Sequence, residues 1–322
     1  MQEKIKELKR TFPKQVVDAI KESKISIEDS EKIENILLTG MGGSGVAGNI
    51  VKDIVDFKKP FVINKDYSLP GFVNSKTLVF VVSYSGNTEE TIQALQTARR
   101  KNAKIIVITS NGKASEIATT HDIPLIRMPK GLVPRFTVIF QLFAILHALH
   151  NCGIIRLKKQ DIEEAVNSLK KDYSKTAEEL AKKLRDKFVI IYTSPKLKGV
   201  GLYWKQAFNE NAKIHAFNST FPELNHNEIE TYTKNLENYH IIILRDETEP
   251  IRINKRIKLM KDIIKKSKAQ ISEIMFKGAS EIAKNCSAIK LGAMTSAELA
   301  DMTDTDAFKT ELLDEFKKQL VR

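Results

Sequence analysis

Apolar, β-branched runs alternate with amphipathic helical stretches through the first half of the chain, and this alternation restricts the fold more than any other feature. The runs Asn35–Thr39, Thr77–Ser83 and Lys104–Thr109 precede helical patterns over Gly43–Asp56, Asn87–Lys101 and Lys113–Thr119, and a short run follows at Pro124–Arg127. Strands that read as continuous apolar runs are buried on both faces, so the expectation is a parallel sheet with helices on each side. A longer helix, roughly Pro134–Asn151, closes this half, with Pro134 suited to a first helical position.

A charged, helix-forming stretch, Arg156–Lys187, reads as connector plus packing helix. Alternation then resumes with a run at Phe188–Thr193, a helix near Gly199–Lys213, a run at His240–Leu244, a helix near Arg252–Lys268, and runs at Gln270–Met275 and Ala288–Leu291. Two sheets of one kind in tandem suggest duplication, although the residue identities do not visibly repeat. The predicted architecture is α/β in two domains, residues 1–152 and 153–322, each a mainly parallel sheet flanked by helices. A length of 322 residues, 42% of them apolar and 29% charged, suffices for two ordinary globular domains and argues against disorder.

Two turns in the first half carry distinctive chemistry. Gly40-Met41-Gly42-Gly43-Ser44-Gly45 and Ser83-Tyr84-Ser85-Gly86-Asn87-Thr88 each follow an apolar run and open a helical pattern. A helix start offers free N–H groups and a positive dipole end, and Ser83, Ser85 and Thr88 add three hydroxyls, so the second turn reads as a phosphate cradle. The plainer reading is N-capping by Asn87 or Ser85, with Glu89 and Glu90 in the first turn; a cap needs one hydroxyl, and this turn supplies three. Gly40, Gly42 and Gly45 also fit G-x-G-x-x-G with Asp66 downstream, so dinucleotide binding competes, although the hydroxyl turn has no part in that fingerprint. At the matching place in the second half stand Arg245-Asp246-Glu247-Thr248-Glu249, whose three carboxylates would repel a phosphate. One phosphate site per chain is therefore expected.

The net charge of +12 suits an anionic small substrate as well as nucleic acid or a membrane surface. Its excess falls in helical runs such as Lys158-Lys159, Lys182-Lys183 and Lys265-Lys266 with no interleaved aromatics, which reads as solvated helix faces and not as a nucleic-acid site. Cys152 and Cys286 lack the spacing of a zinc site or a disulfide framework. With neither a signal-like N-terminus nor a membrane-length apolar run, the expectation is a cytoplasmic, soluble protein.

Three further residues suggest catalysis. Arg135 opens a helix, where a cation opposes the dipole unless an anionic partner is present. Glu210 ends an otherwise apolar helix, Tyr203-Trp204-Lys205-Gln206-Ala207-Phe208, a setting that raises a carboxyl pKa toward the range of a general base. His226 lies in Pro222-Glu223-Leu224-Asn225-His226-Asn227-Glu228, surroundings that His121, His147, His150, His215 and His240 lack.

The pair of turns resembles sugar isomerase (SIS) domains. That resemblance implies that Ser83, Ser85 and Thr88 bind a phosphate and that Gly42, Gly43 and Ser44 line the sugar. Gln206-Ala207-Phe208-Asn209-Glu210-Asn211-Ala212-Lys213 together with the segment around His226 resembles the bifunctional phosphoglucose/phosphomannose isomerases. It implies tandem SIS domains in a homodimer, a hexose 6-phosphate substrate, Glu210, His226 and Arg135 as catalytic residues, His226 contributed by the neighbouring subunit, and no metal or other cofactor. Near the C-terminus that family has an Asp-Pro-Thr-Pro-type turn, and this chain has Asp306-Ala307-Phe308-Lys309-Thr310 instead. By that loose alignment, Thr310 and Lys317 fall where the family places a residue affecting mannose-sugar acceptance and a substrate-contacting lysine. The rival readings are a non-catalytic sugar-phosphate regulator, a nicotinamide-dependent oxidoreductase, and another SIS-domain enzyme.

Overall fold

The computed structural model describes residues 2–320. Helix α1 (Gln2–Glu22) precedes a first sheet built from β1 (Asn35–Thr39), β2 (Phe61–Asn64), β3 (Thr77–Val82), β4 (Lys104–Thr109) and β5 (Leu125–Arg127), with α2 (Gly42–Ile54), α3 (Glu89–Arg100) and α4 (Gly112–Thr120) as crossovers and α5 (Val138–Asn151) after it. All four pairings are parallel and the strand order is β2-β1-β3-β4-β5. Every residue of β3 is buried, as a central parallel strand covered on both faces requires.

Two helices, α6 (Lys159–Lys170) and α7 (Ser174–Leu184), occupy the charged stretch. The second sheet comprises β6 (Phe188–Thr193), β7 (Ala216–Thr220), β8 (Tyr239–Asp246) and β9 (Gln270–Phe276), with α8 (Lys198–Ala207) and α9 (Ile251–Lys266) between strands and α10 (Glu281–Met302) and α11 (Glu311–Leu320) following. Its order is β7-β6-β8-β9, again all parallel, so the first four strands of the two sheets share one topology.

One expected strand is absent. Ala288–Leu291 lies inside α10, which is buried continuously from Ile282 to Ala300. A helix that is covered all round has no polar face, so its apolar run carries the same period signal as a central strand. A single apolar cluster runs from Phe12 of α1 through Ile50 of α2 to Trp204 of α8 and Ile289 of α10, so the two halves share a core. No helix of the described residues is long and apolar enough to cross a membrane.

Candidate active site

In an open α/β sheet, ligands bind beyond the carboxyl ends of the strands where the strand order reverses. In the first sheet that point lies between β1 and β3, and both distinctive turns sit on it. Gly40, just after β1, approaches β3 so closely that a Cβ would stand 2.7 Å from the Val82 carbonyl oxygen. Gly42 and Gly43 begin α2, where backbone N–H groups have no intrahelical acceptor. Ser44 is buried, and its hydroxyl accepts from Gln141 Nε2 at 3.4 Å.

In the second turn the Ser83 hydroxyl is buried, accepts from Gly86 N–H at 3.1 Å and lies 2.9 Å from Thr88 Oγ1. The exposed Ser85 accepts from Asn87 N–H at 3.2 Å. Thr88 occupies the N-cap position of α3 without a side-chain capping bond. Gly86 has φ +68°, and a Cβ there would come within 1.8 Å of the Asn111 carbonyl oxygen, so only glycine fits. Three hydroxyls thus gather at one helix start.

The helix expected from Pro134 begins later. Pro134–Phe136 form a 3₁₀ turn and α5 starts at Val138. The turn sets Arg135 beside the glycine turn, its Cα 3.7 Å from where a Gly43 Cβ would lie. The guanidinium is buried, with Nε donating to Asn211 Oδ1 and Nη2 to the Ala307 carbonyl. Asn211 is held in turn by a 2.8 Å bond from its Nδ2 to Ser296 Oγ. Nη1 remains directed at Glu210, 3.8 Å from Oε2.

Glu210 sits on a π-helical turn, Phe208–Ala212, that extends α8 and ends at Lys213 in the left-handed region. Such a turn breaks the 3.6-residue register and so re-aims its side chains. Burial pushes the Glu210 carboxyl above its ordinary pKa, while Arg135 foremost, then Lys317 and Lys213, pull it down. Among the described residues the carboxylate accepts no hydrogen bond. It is a partly buried carboxylate with a fixed cation beside it, an arrangement suited to proton transfer next to developing negative charge.

The C-terminal segment closes over this pair. Besides the Ala307 carbonyl, Phe308 packs its ring 5.6 Å from Phe136, and Lys213 Nζ donates to the Lys309 carbonyl at 2.7 Å. Thr310 precedes α11, with its hydroxyl 3.4 Å from Asp314 Oδ2. Lys317 lies on exposed α11, near enough to act on Glu210 electrostatically. His226 stands apart: it is exposed at the end of a 3₁₀ turn, Glu223–His226, and among the described residues makes no hydrogen bond to Arg135, Glu210 or the hydroxyl turn.

Two groups of the site escaped the sequence reading. Gln141, a lone amide in Val138-Ile139-Phe140-Gln141-Leu142-Phe143, was visible as a polar residue in an apolar helix; Nε2 also donates to Thr137 Oγ1 at 3.1 Å. Tyr203, buried in α8, gave no signal to separate it from core aromatics. Asp66, the acid of the dinucleotide fingerprint, is exposed and accepts from Ser68 N–H. Among the described residues, no group of three or more His, Cys, Asp or Glu side chains is arranged to hold a metal ion.

This two-sheet fold, with its glycine and hydroxyl turns at the first switch point, is that of a tandem SIS-domain protein. Residues 31–150 match the SIS domain family model and residues 173–320 match that of the bacterial phospho-glucose isomerase C-terminal SIS domain. A solved hypothetical protein from Thermus thermophilus shares the fold with a TM-score of 0.79 at 13% identity, covering 98% of this chain and 94% of its own. The chain belongs to the bifunctional phosphoglucose/phosphomannose isomerase family. It is 36% identical to the protein of that name from Caldicellulosiruptor bescii over 96% of both chains. A relative from Sulfolobus acidocaldarius, 31% identical over 94% of this chain and 93% of its own, bears the name D-glucosamine-6-phosphate 4-epimerase.

Proposed function

We propose that this chain interconverts glucose 6-phosphate, and mannose 6-phosphate, with fructose 6-phosphate. The observation that carries this reading is the Arg135–Glu210 pair, a partly buried carboxylate with no hydrogen bond among the described residues beside a rigidly held guanidinium, next to the glycine turn. In this mechanism Ser83, Ser85 and Thr88 hold the phosphate, and Gly42, Gly43 and Ser44 line the sugar. That binding energy, remote from the reacting carbons, orients C1 and C2 against Glu210. His226 moves a proton to the ring oxygen to open the sugar. Glu210 takes the proton from C2 and returns it to C1, while Arg135 stabilises the enediolate oxygens. The two aldoses differ at C2 and share one enediolate, so one base serves both. Thr310 and Lys317 contact the substrate from the C-terminal segment, and no metal or other cofactor takes part.

The site is completed in this reading by a second copy of the chain, with His226 supplied across the interface. The exposure of His226 supports it, as does α11, whose Leu312, Phe316 and Leu320 form an uncovered apolar face. The division into residues 1–152 and 153–322 belongs to the same proposal. So does a cytoplasmic location, which the buried free thiols of Cys152 and Cys286 support.

The test is interconversion of the three hexose 6-phosphates, with glucosamine 6-phosphate as the competing substrate. Isomerisation that Glu210→Gln abolishes supports the proposal; epimerisation of glucosamine 6-phosphate alone overturns it. Mixing inactive Glu210→Gln and His226→Ala chains should restore about a quarter of native turnover if each site joins Glu210 of one chain to His226 of the other. No recovery in verified mixed dimers would remove the shared site.

A further inference from the structure

We propose that Asn111 is a site of spontaneous deamidation: its side chain closes on the nitrogen of the following glycine, and the isoaspartate that results displaces the hydroxyl turn and weakens sugar-phosphate binding. Asn111-Gly112 is the one Asn-Gly pair in the chain. Asn111 is exposed, stands immediately before α4 and makes no side-chain capping bond. Its φ is −174° and its ψ −158°. Tetrahedral geometry at Cα then sets the Gly112 nitrogen roughly 40° in torsion from the Asn111 Cβ, nearly eclipsed with it, so closing a succinimide ring needs little backbone rotation. Gly112 is the first residue of α4, where an N–H has no intrahelical acceptor, and among the described residues it donates no other backbone hydrogen bond. With no Cβ at 112, no side chain shields that nitrogen.

In the ring-closing step the Gly112 nitrogen bonds to Asn111 Cγ, the Cγ–Nδ2 bond breaks, and the amide nitrogen takes up the proton from Gly112 and leaves as ammonia. Water then opens the succinimide. Where it breaks the original peptide bond, Gly112 stays joined to Cγ and the backbone at 111 is longer by one methylene. The surroundings have no slack for that. A Gly86 Cβ would lie 1.8 Å from the Asn111 carbonyl oxygen, and a Gly112 Cβ would lie 2.4 Å from the Ser85 carbonyl oxygen and 2.6 Å from Asn87 Oδ1. The Asn111 carbonyl accepts from Thr109 Oγ1 at 2.8 Å, Lys113 N–H donates to Asn87 Oδ1 at 2.9 Å, and Ala114 N–H donates to the Gly86 carbonyl at 2.9 Å. The pair is thus clamped against the hydroxyl turn from both ends, and a longer backbone here shifts Ser85, Gly86 and Asn87, and with them the hydroxyls gathered at the start of α3.

The effect on binding rests on the phosphate role of Ser83, Ser85 and Thr88; the chemistry at Asn111 does not. The test incubates the full chain warm in mildly alkaline buffer, where the attacking nitrogen gives up its proton more readily, and follows it by peptide mapping and by calorimetric titration with glucose 6-phosphate. Isoaspartate at 111 should accumulate ahead of change at any other asparagine. The isoaspartate-bearing fraction, separated by ion exchange, should bind glucose 6-phosphate about tenfold more weakly than the fresh chain, as expected when a hydrogen bond to a charged phosphate is lost. Asn111→Ser has no amide to close and suits a helix start, so it should keep its affinity through the same incubation. An Asn111 that stays intact overturns the proposal; so does an isoaspartate fraction with native affinity, or an equal loss of affinity in Asn111→Ser. If the fresh chain does not bind glucose 6-phosphate, the phosphate reading fails, while the peptide map still decides whether the ring closes at Asn111.

Discussion

The two sheets share strand topology, yet their switch points are opposites. Beyond β1 and β3 the chain presents backbone N–H groups and three hydroxyls, with glycines where side chains would intrude. Beyond β6 and β8, the same ground is filled by charge. Lys284 of α10 is buried with its Nζ 2.6 Å from Asp246 and 2.8 Å from Glu281, and Arg245 clasps Glu249 at 2.6 Å and Glu273. Of the three carboxylates at this turn, Asp246 and Glu249 are paired with cations of the domain itself, and Glu247 stays exposed and accepts from Gly278 N–H. A switch point lends itself to binding an anion when its charged and polar groups are left free by the fold; the second has spent its charged groups largely on itself.

The strongest way to break this comparison is to open the second site. Lys284→Met strands the buried Asp246 carboxylate, and urea unfolding should show a loss of about 3–5 kcal/mol, because an unpaired buried charge remains. Adding Asp246→Leu should restore most of it. If the single variant is as stable as the native chain, the pair does not close that site.

Next in size is Gly86→Ala. The left-handed φ and the Asn111 carbonyl 1.8 Å from the added Cβ force the hydroxyl turn to move. Stability should fall by about 1–3 kcal/mol, and hexose 6-phosphate affinity should drop with it in calorimetric titration. A native-like affinity would mean that the turn does not hold the phosphate.

Smaller still, Ser83→Ala should weaken phosphate binding by about tenfold while barely changing stability, since one hydrogen bond to a charged group is lost. Ser194→Ala, just after β6, removes a buried hydroxyl that has no partner among the described residues. It should leave binding unchanged, with one phosphate per chain before and after. A fall in stoichiometry from two to one would erase the distinction between the sheets.

Legibility in the sequence followed the same divide. Inner strands such as Lys104–Thr109 and Phe188–Thr193 were readable to the residue because burial of most of their length demands nearly unbroken apolar runs. The edge strands β2 and β7 were not, since each is only partly buried and mixes polar with apolar residues. The hydroxyl turn was conspicuous because function needs polar groups where packing does not. The conflict inferred for Arg135 was real in charge but different in cause: it lies in a 3₁₀ turn and is held by Asn211 and Ala307, partners some 76 and 172 residues away that no local pattern encodes.

The smallest expected effect concerns the seam between the sheets. Asp53 of α2 accepts a hydrogen bond from Gly199 N–H in the first turn of α8, and burial nevertheless pushes its carboxyl up to about 6 from an ordinary 3.8. The native state therefore holds a proton that the unfolded chain has released between those values, so this group makes stability fall as pH rises from about 4 to about 6. Asp53→Asn keeps an acceptor for Gly199 without the titration. Its stability should lose that slope, and near neutral pH it should differ from the native chain by no more than about 1 kcal/mol, because the desolvation removed is offset by a weaker, uncharged hydrogen bond. Unfolding measured across this window decides it: an unchanged slope in the variant would mean that the Asp53 carboxyl at the seam does not titrate between those values.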